Sequence, residues 1–201
     1  MKFKHNLEGR RTFNYIEYRN LIEGLLEKGK TTGENHSASF IQYTEMNEVR
    51  MNRHDKRGNI TEELAKKLES LQPQKWVVIV EAWCGDAAQN LPWFYKMAKL
   101  NANIDLQIIL RDENLDIMED FLTNGGRSIP KMFAFDSENN LLFEWGPRPK
   151  KIQQYFLSLR EQGMDHETIS KELHTLYARD KGLAIQNDLL ELLETQELVA
   201  S

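Results

Sequence analysis

The chain has 201 residues, room for one domain with additions, and its 40% hydrophobic and 28% charged residues suit a folded globular protein. A net charge of −5 argues against a general nucleic-acid binder, which must neutralise phosphates with basic side chains. The lone cysteine, Cys84, excludes an intramolecular disulfide and a cysteine-rich zinc site, while 11 glycines and 5 prolines exclude collagen-like or low-complexity sequence.

Residues 1–72 read as a helical N-terminal extension. Met1 to Asn6 lead into no apolar signal core, and no stretch approaches the roughly 18–20 apolar residues of a membrane span. A cytoplasmic protein with no membrane partner is the expectation. Phe13, Ile16, Leu21, Leu25 and Leu26 are spaced for one helical face, ended by Gly29 and Gly33. Phe40, Tyr43, Met46 and Val49 form a less regular apolar set, followed by a polar stretch from Asn52 to Asn59. Asn59, three residues before Glu62, predicts a capping pair that opens a helix with Leu64, Leu68 and Leu71 on one face.

Residues 73–162 change character. Trp76 to Val80 is a short, β-branched apolar run suited to a buried central strand. Cys84-Gly85-Asp86-Ala87 follows and enters a helix interrupted by Pro92. Ile104 to Leu110 predicts a second strand, and Leu115 to Leu122 a helix ended by Gly125-Gly126. Lys131–Phe135 and Leu141–Trp145 predict a hairpin across the turn-forming Asp136 to Asn140, and Ile152, Tyr155, Phe156 and Leu159 return to helical spacing. The order β-α-β-α-β-β-α predicts an α/β sheet, parallel at first with an antiparallel hairpin at its end. Residues 163–201 are a C-terminal helical extension, with Asp165 as N-cap and a Leu-rich stretch from Leu183 to Leu193. With 3 basic and 8 acidic residues, this tail holds most of the excess negative charge.

A strand running through Trp83-Cys84 straight into a helix puts the sulfur at a helix N-terminus. Unpaired N–H groups and the positive end of the dipole favour a thiolate there. Trp83-Cys84-Gly85, the proline eight positions later (Pro92), Arg127-Ser128-Ile129-Pro130 opening a hairpin, and Gly146 after its last strand together resemble the thioredoxin family. The resemblance covers residues 73–162 and implies a thioredoxin-like fold: a central mixed sheet flanked by helices, with N- and C-terminal helical extensions. The long helical additions and the Trp-Cys-Gly-Asp-Ala motif suggest thioredoxin-like proteins of bacteria. The resemblance also implies that Pro130 follows a cis peptide bond and faces Cys84. It makes Cys84 the candidate nucleophile and Trp83, Gly85, Asp86, Ala87, Arg127, Ile129 and Pro130 the residues that line its site.

Two positions depart from that pattern. The family's second cysteine is Ala87 here, and its buried acid, six residues before the first cysteine, is Val78. A first thiolate attacks a disulfide and a second thiol resolves the mixed disulfide, so ordinary dithiol activity is excluded. Asp86 suits the dipole but opposes thiolate formation, with Arg127 placed to counter it.

Outside this motif the sequence offers little chemistry. His5, His36, His54, His166 and His174 are scattered, and His166 and His174 stand two helical turns apart, too far to share a metal. They read as solvent-facing, and the cluster Arg50, Arg53, His54, Lys56, Arg57 as a solvated loop. No glycine-rich phosphate loop or ligand cluster implies a cofactor or a metal. Two functions compete. One is a monothiol thiol–disulfide oxidoreductase or thiol redox sensor, resolved by another protein or by a small thiol such as glutathione or bacillithiol. The other is a redox-inactive peptide- or protein-binding adaptor, whose extensions supply surface for a partner or a homodimer. The extensions are expected to pack away from Cys84, leaving the thiol reachable.

Overall fold

A computed structural model of the chain describes residues 2–5 and 7–200, with side chains through 196. In chain order its elements are α1 (Tyr15–Leu26), α2 (Ala38–Arg57), α3 (Glu62–Glu69), β1 (Gln74–Val80), α4 (Gly85–Ala98), β2 (Ile104–Leu110), α5 (Leu115–Glu119), β3 (Lys131–Asp136), β4 (Leu141–Trp145), α6 (Lys150–Glu161), α7 (His166–Asp180) and α8 (Leu183–Ala200). The strands form one sheet in the order β2-β1-β3-β4. β1 runs parallel to β2, with Val78 opposite Ile108, and antiparallel to β3, with Val78 opposite Met132. Trp76 to Val80 are fully buried, as an apolar run covered on both faces must be. The β3–β4 hairpin closes where the Asp136 carboxylate accepts from the Glu138 and Asn140 N–H groups, with Asn139 at φ 62°. This is an α/β thioredoxin-like fold with helical additions.

The additions share the core of the sheet. One buried cluster joins Tyr15, Tyr18 and Ile22 of α1, Leu64 and Leu68 of α3, the strands, α4, and Ile185, Leu189 and Leu193 of α8. The apolar face expected along α1 is displaced: Tyr15, Tyr18 and Ile22 turn inward and Ile16 is 52% exposed. The cap of α3 is Thr61 rather than Asn59, and its N–H is met by the Gln186 side chain of α8 at 2.7 Å.

The largest correction is α2. Its helix runs through the polar stretch expected as a loop, and the face it buries carries Thr44, Asn47, Met51 and His54. Three of these four are polar, so hydropathy does not mark the face. Each polar member has a partner: Thr44 Oγ1 with Thr31 Oγ1 at 2.6 Å, Asn47 Nδ2 with the Ala82 carbonyl at 2.8 Å, and His54 Nε2 with Gln89 Oε1 at 2.7 Å. The Phe40, Tyr43 and Met46 set lies on another side of the helix and borders the Cys84 region.

Candidate functional site

Cys84 is the N-cap of α4. Its backbone is extended (φ −79°, ψ 114°), and its sulfur accepts the Ala87 N–H at 3.4 Å. The thiol proton is directed to the Ile129 carbonyl at 3.4 Å, so the loop before β3 meets the sulfur through its backbone. The Ile129–Pro130 peptide bond is cis, as is Gly146–Pro147. A Cβ at Gly146 would overlap the Pro130 carbonyl, which accounts for glycine after β4.

The thiol is 9% exposed, and burial, with the Asp86 charge as the next cause, pushes its pKa up to about 12. N–H groups at the start of α4 act in the opposite sense and do not prevail. Asp86 accepts from the Tyr177 hydroxyl at 2.9 Å on Oδ1 and pairs with Arg148 at 2.7 Å on Oδ2. Asn90 holds the Tyr177 oxygen at 3.1 Å and the Asp86 carbonyl at 2.8 Å. Burial raises the Asp86 pKa, opposed by Arg148, Tyr177 and Arg50.

The side chains that surround Cys84 come mostly from the additions. A pocket of about 360 Å³ sits over Cys84, Gly85 and Asp86, with Phe40, Tyr43, Met46 and Arg50 of α2 on one side and Ile169, Leu173 and His174 of α7 on the other. The expectation that the extensions leave this end open is therefore overturned. α2 is anchored to the loop after β1 by Asn47, and α7 is anchored to α4 by Tyr177 and His174. Gly85 shows how close the cover is: a Cβ there would come within 2.7 Å of His174 Cε1.

Trp83 borders the pocket, its ring 5.1 Å from that of Phe40 and under the Arg111 guanidinium. Gly85 and Asp86 line it; Ala87 and Ile129 are buried and meet the sulfur through their backbone, and Pro130 is buried outside the pocket lining. Arg127 is not among these residues. It is exposed and its guanidinium Nε bonds to Glu119 at 2.6 Å, so the cation beside Asp86 is Arg148 instead.

Sequence reasoning missed Arg148, Arg50, His174, His54 and Glu81. His54 and His174 do not face solvent; both are joined to Gln89, and burial, helped by Arg50 and Arg148, lowers the His174 pKa to about 4. Glu81, at the end of β1, is fully buried, with Oε1 accepting the Asp112 N–H at 2.9 Å and Oε2 without a partner. Burial raises its pKa. Its signal was an acid placed directly after an apolar strand. Among the described residues no group of three or more His, Cys, Asp or Glu side chains could hold a metal, and no helix is long and apolar enough to cross a membrane.

Residues 33–165, two thirds of the chain, match a thioredoxin family model, and the chain belongs to that family. No curated protein matches it. Its fold is similar to that of an HIV epitope-scaffold, at 19% identity and a TM-score of 0.57, over 86% of this chain and 97% of that one. It is likewise similar to that of a protein of unknown function from Pseudomonas aeruginosa, at 20% identity and a TM-score of 0.56, over 91% of this chain and 98% of that one.

Proposed function

We propose that this thioredoxin-family protein is a redox-inert binding protein whose ligand occupies the pocket over Cys84. The observation that carries this reading is the state of the thiol. It is buried, committed to the Ile129 carbonyl and held protonated up to a pKa of about 12, so the attacking thiolate is scarce at neutral pH. The pocket in front of it has the composition of a ligand site, with mostly apolar walls and a few convergent polar groups. Monothiol exchange with a protein or a small thiol such as glutathione is the second reading, favoured by the N-cap position of Cys84 beside Ile129. The compartment that suits a lone reduced thiol is the cytoplasm.

Alkylation of Cys84 by iodoacetamide across pH, beside a glutathione-coupled disulfide reduction assay, separates the two readings. The binding reading expects no turnover and a half-point above that of free cysteine, about 8.5. A half-point below about 7 together with turnover would establish monothiol exchange instead. For the pocket, 8-anilinonaphthalene-1-sulfonate is expected to fluoresce with the wild type and not with Met46→Trp, which fills the space beside α2.

A further inference from the structure

We propose that the pocket selects small organic monocarboxylates, with an apolar body against α2 and the carboxylate on Arg50 and His174; this rests on the binding reading above.

The acceptors beside Gly85 are engaged. Asp86 takes Tyr177 on one oxygen and Arg148 on the other, and the Arg148 guanidinium also lies 4.2 Å from the centre of the Phe156 ring. Cys84 directs its S–H away, to Ile129. Donors remain. Arg50 carries five N–H donors; Nη1 donates to Asn47 Oδ1 at 2.6 Å, and no carboxylate among the described residues forms an ion pair with it. His174 presents a second donor. His54 Nε2 donates to Gln89 Oε1 at 2.7 Å, and Gln89 Nε2 donates to His174 Nδ1 at 3.1 Å. That relay puts the His174 proton on Nε2. The two residues stand together on the wall over Gly85: a Cβ there would lie 2.9 Å from His174 Nε2 and 3.5 Å from Arg50 Nη1, which keeps one N–H beyond the one given to Asn47. A ligand head group that meets both from the pocket side must therefore be an acceptor.

Its charge follows from the same residues. Asp86 faces two cations, Arg148 in a direct pair and the partly buried Arg50 without one, which leaves one positive charge in excess. One anion balances it, whereas a dianion would leave a charge unpaired beside Asp86. The guanidinium fork matches a planar carboxylate through two parallel N–H bonds. The body of the ligand faces Phe40, Tyr43, Met46 and Leu173 in a space of about 360 Å³, near the lower end of the range for small-molecule sites, roughly 300–1,000 Å³.

Naphthalene-1-acetate and naphthalene-1-acetamide share one apolar body and differ in the charge of the head group. We expect calorimetric titration of the full chain to show the acetate binding at least about tenfold more tightly than the amide, a difference of about 1.4 kcal/mol. The preference should vanish in Arg50→Gln, persist in Arg53→Gln and be partly retained in Arg50→Lys, which keeps the charge without the fork. Equal affinities in the wild type, or a preference that survives Arg50→Gln in a folded protein, would overturn carboxylate selection and leave the binding reading standing. If neither naphthalene probe binds and the sulfonate dye also fails to bind, this inference and the binding reading fail together. Should Arg50→Gln not fold, an undiminished preference in Arg50→Lys would count against the fork.

Discussion

The Arg148 guanidinium meets the Asp86 carboxylate at 2.7 Å with the two side chains 18% and 13% exposed, in the first turn of the helix that Cys84 caps. The favourable end of that helix is thus occupied by a carboxylate with its own cation and its own hydroxyl donor. A thiolate beside it would be a second anion in the same turn, in a place already poor in water. Of the protein's own groups, this turn carries one negative charge, and the charge belongs to Asp86.

Removing the cation should therefore be costly. Arg148→Ala leaves Asp86 buried beside Tyr177 without its paired cation, with Arg50 acting only at longer range, and breaking such a pair costs about 3–5 kcal/mol. Urea unfolding at neutral pH measures it. A loss under about 1 kcal/mol would mean that solvent reaches the pair and screens it.

Asp86→Asn removes the charge that acts on the sulfur while leaving the sulfur buried. Burial is the larger cause of the raised thiol pKa and Asp86 the next, so the variant should lower it partway, with Arg148 now unopposed. The pH dependence of iodoacetamide alkylation should shift downward without reaching the range of an activated thiol. An unchanged profile would remove Asp86 from the account.

Supplying the missing thiol should not by itself restore exchange. Ala87→Cys places a sulfur three residues after Cys84, at the position whose N–H already meets the Cys84 sulfur. An oxidised form is expected, detectable as protection from alkylation. Reduction of a protein disulfide is expected to stay slow, because the attacking thiol keeps its burial and its acidic neighbour. Rapid turnover by this variant would show that the resolving cysteine was the whole deficit.

The four strands were legible because each is a short apolar or alternating run, and the Asp136–Asn140 turn because its residues have side chains that bond their own backbone. Cys84 was legible from the strand before it and the helix after it. Its surroundings were not. The buried face of α2 hides from hydropathy because Thr44, Asn47 and His54 are polar, and the pairing that buries them is with distant loops and α4. Phe40, Tyr43 and Met46 gave a visible apolar signal, but spacing cannot tell the wall of a pocket from a core. Arg127 neighbours Ile129-Pro130 in sequence and turns to Glu119 in space, while Arg148 reaches Asp86 from the segment after β4.

Acid should weaken the fold through the histidines. Burial, with Arg50 and Arg148 nearby, holds His174 at about 4, against about 6.5 in an unfolded chain. The folded state favours the neutral ring. This contribution is complete above pH 6.5 and is lost as pH falls towards 4, on the order of 3 kcal/mol at most. His54, also lowered by burial, acts in the same direction. In urea unfolding, the stability advantage of the wild type over His174→Gln should shrink between pH 7 and about pH 4.5. An advantage that does not change with pH would place His174 in contact with water.

The polar seam under α2 also sets how this protein meets a ligand. Were the helix docked one turn away, Thr44, Asn47 and His54 would each be buried without its partner, at about 1–3 kcal/mol apiece. A purely greasy face would slide at far lower cost. Phe40, Tyr43, Met46 and Arg50 ride on that helix, so the wall of the cavity is keyed in place before anything enters it. A receptor prepared in this way spends little of its affinity on ordering itself. It chooses by turning away the wrong shapes rather than by closing around the right one.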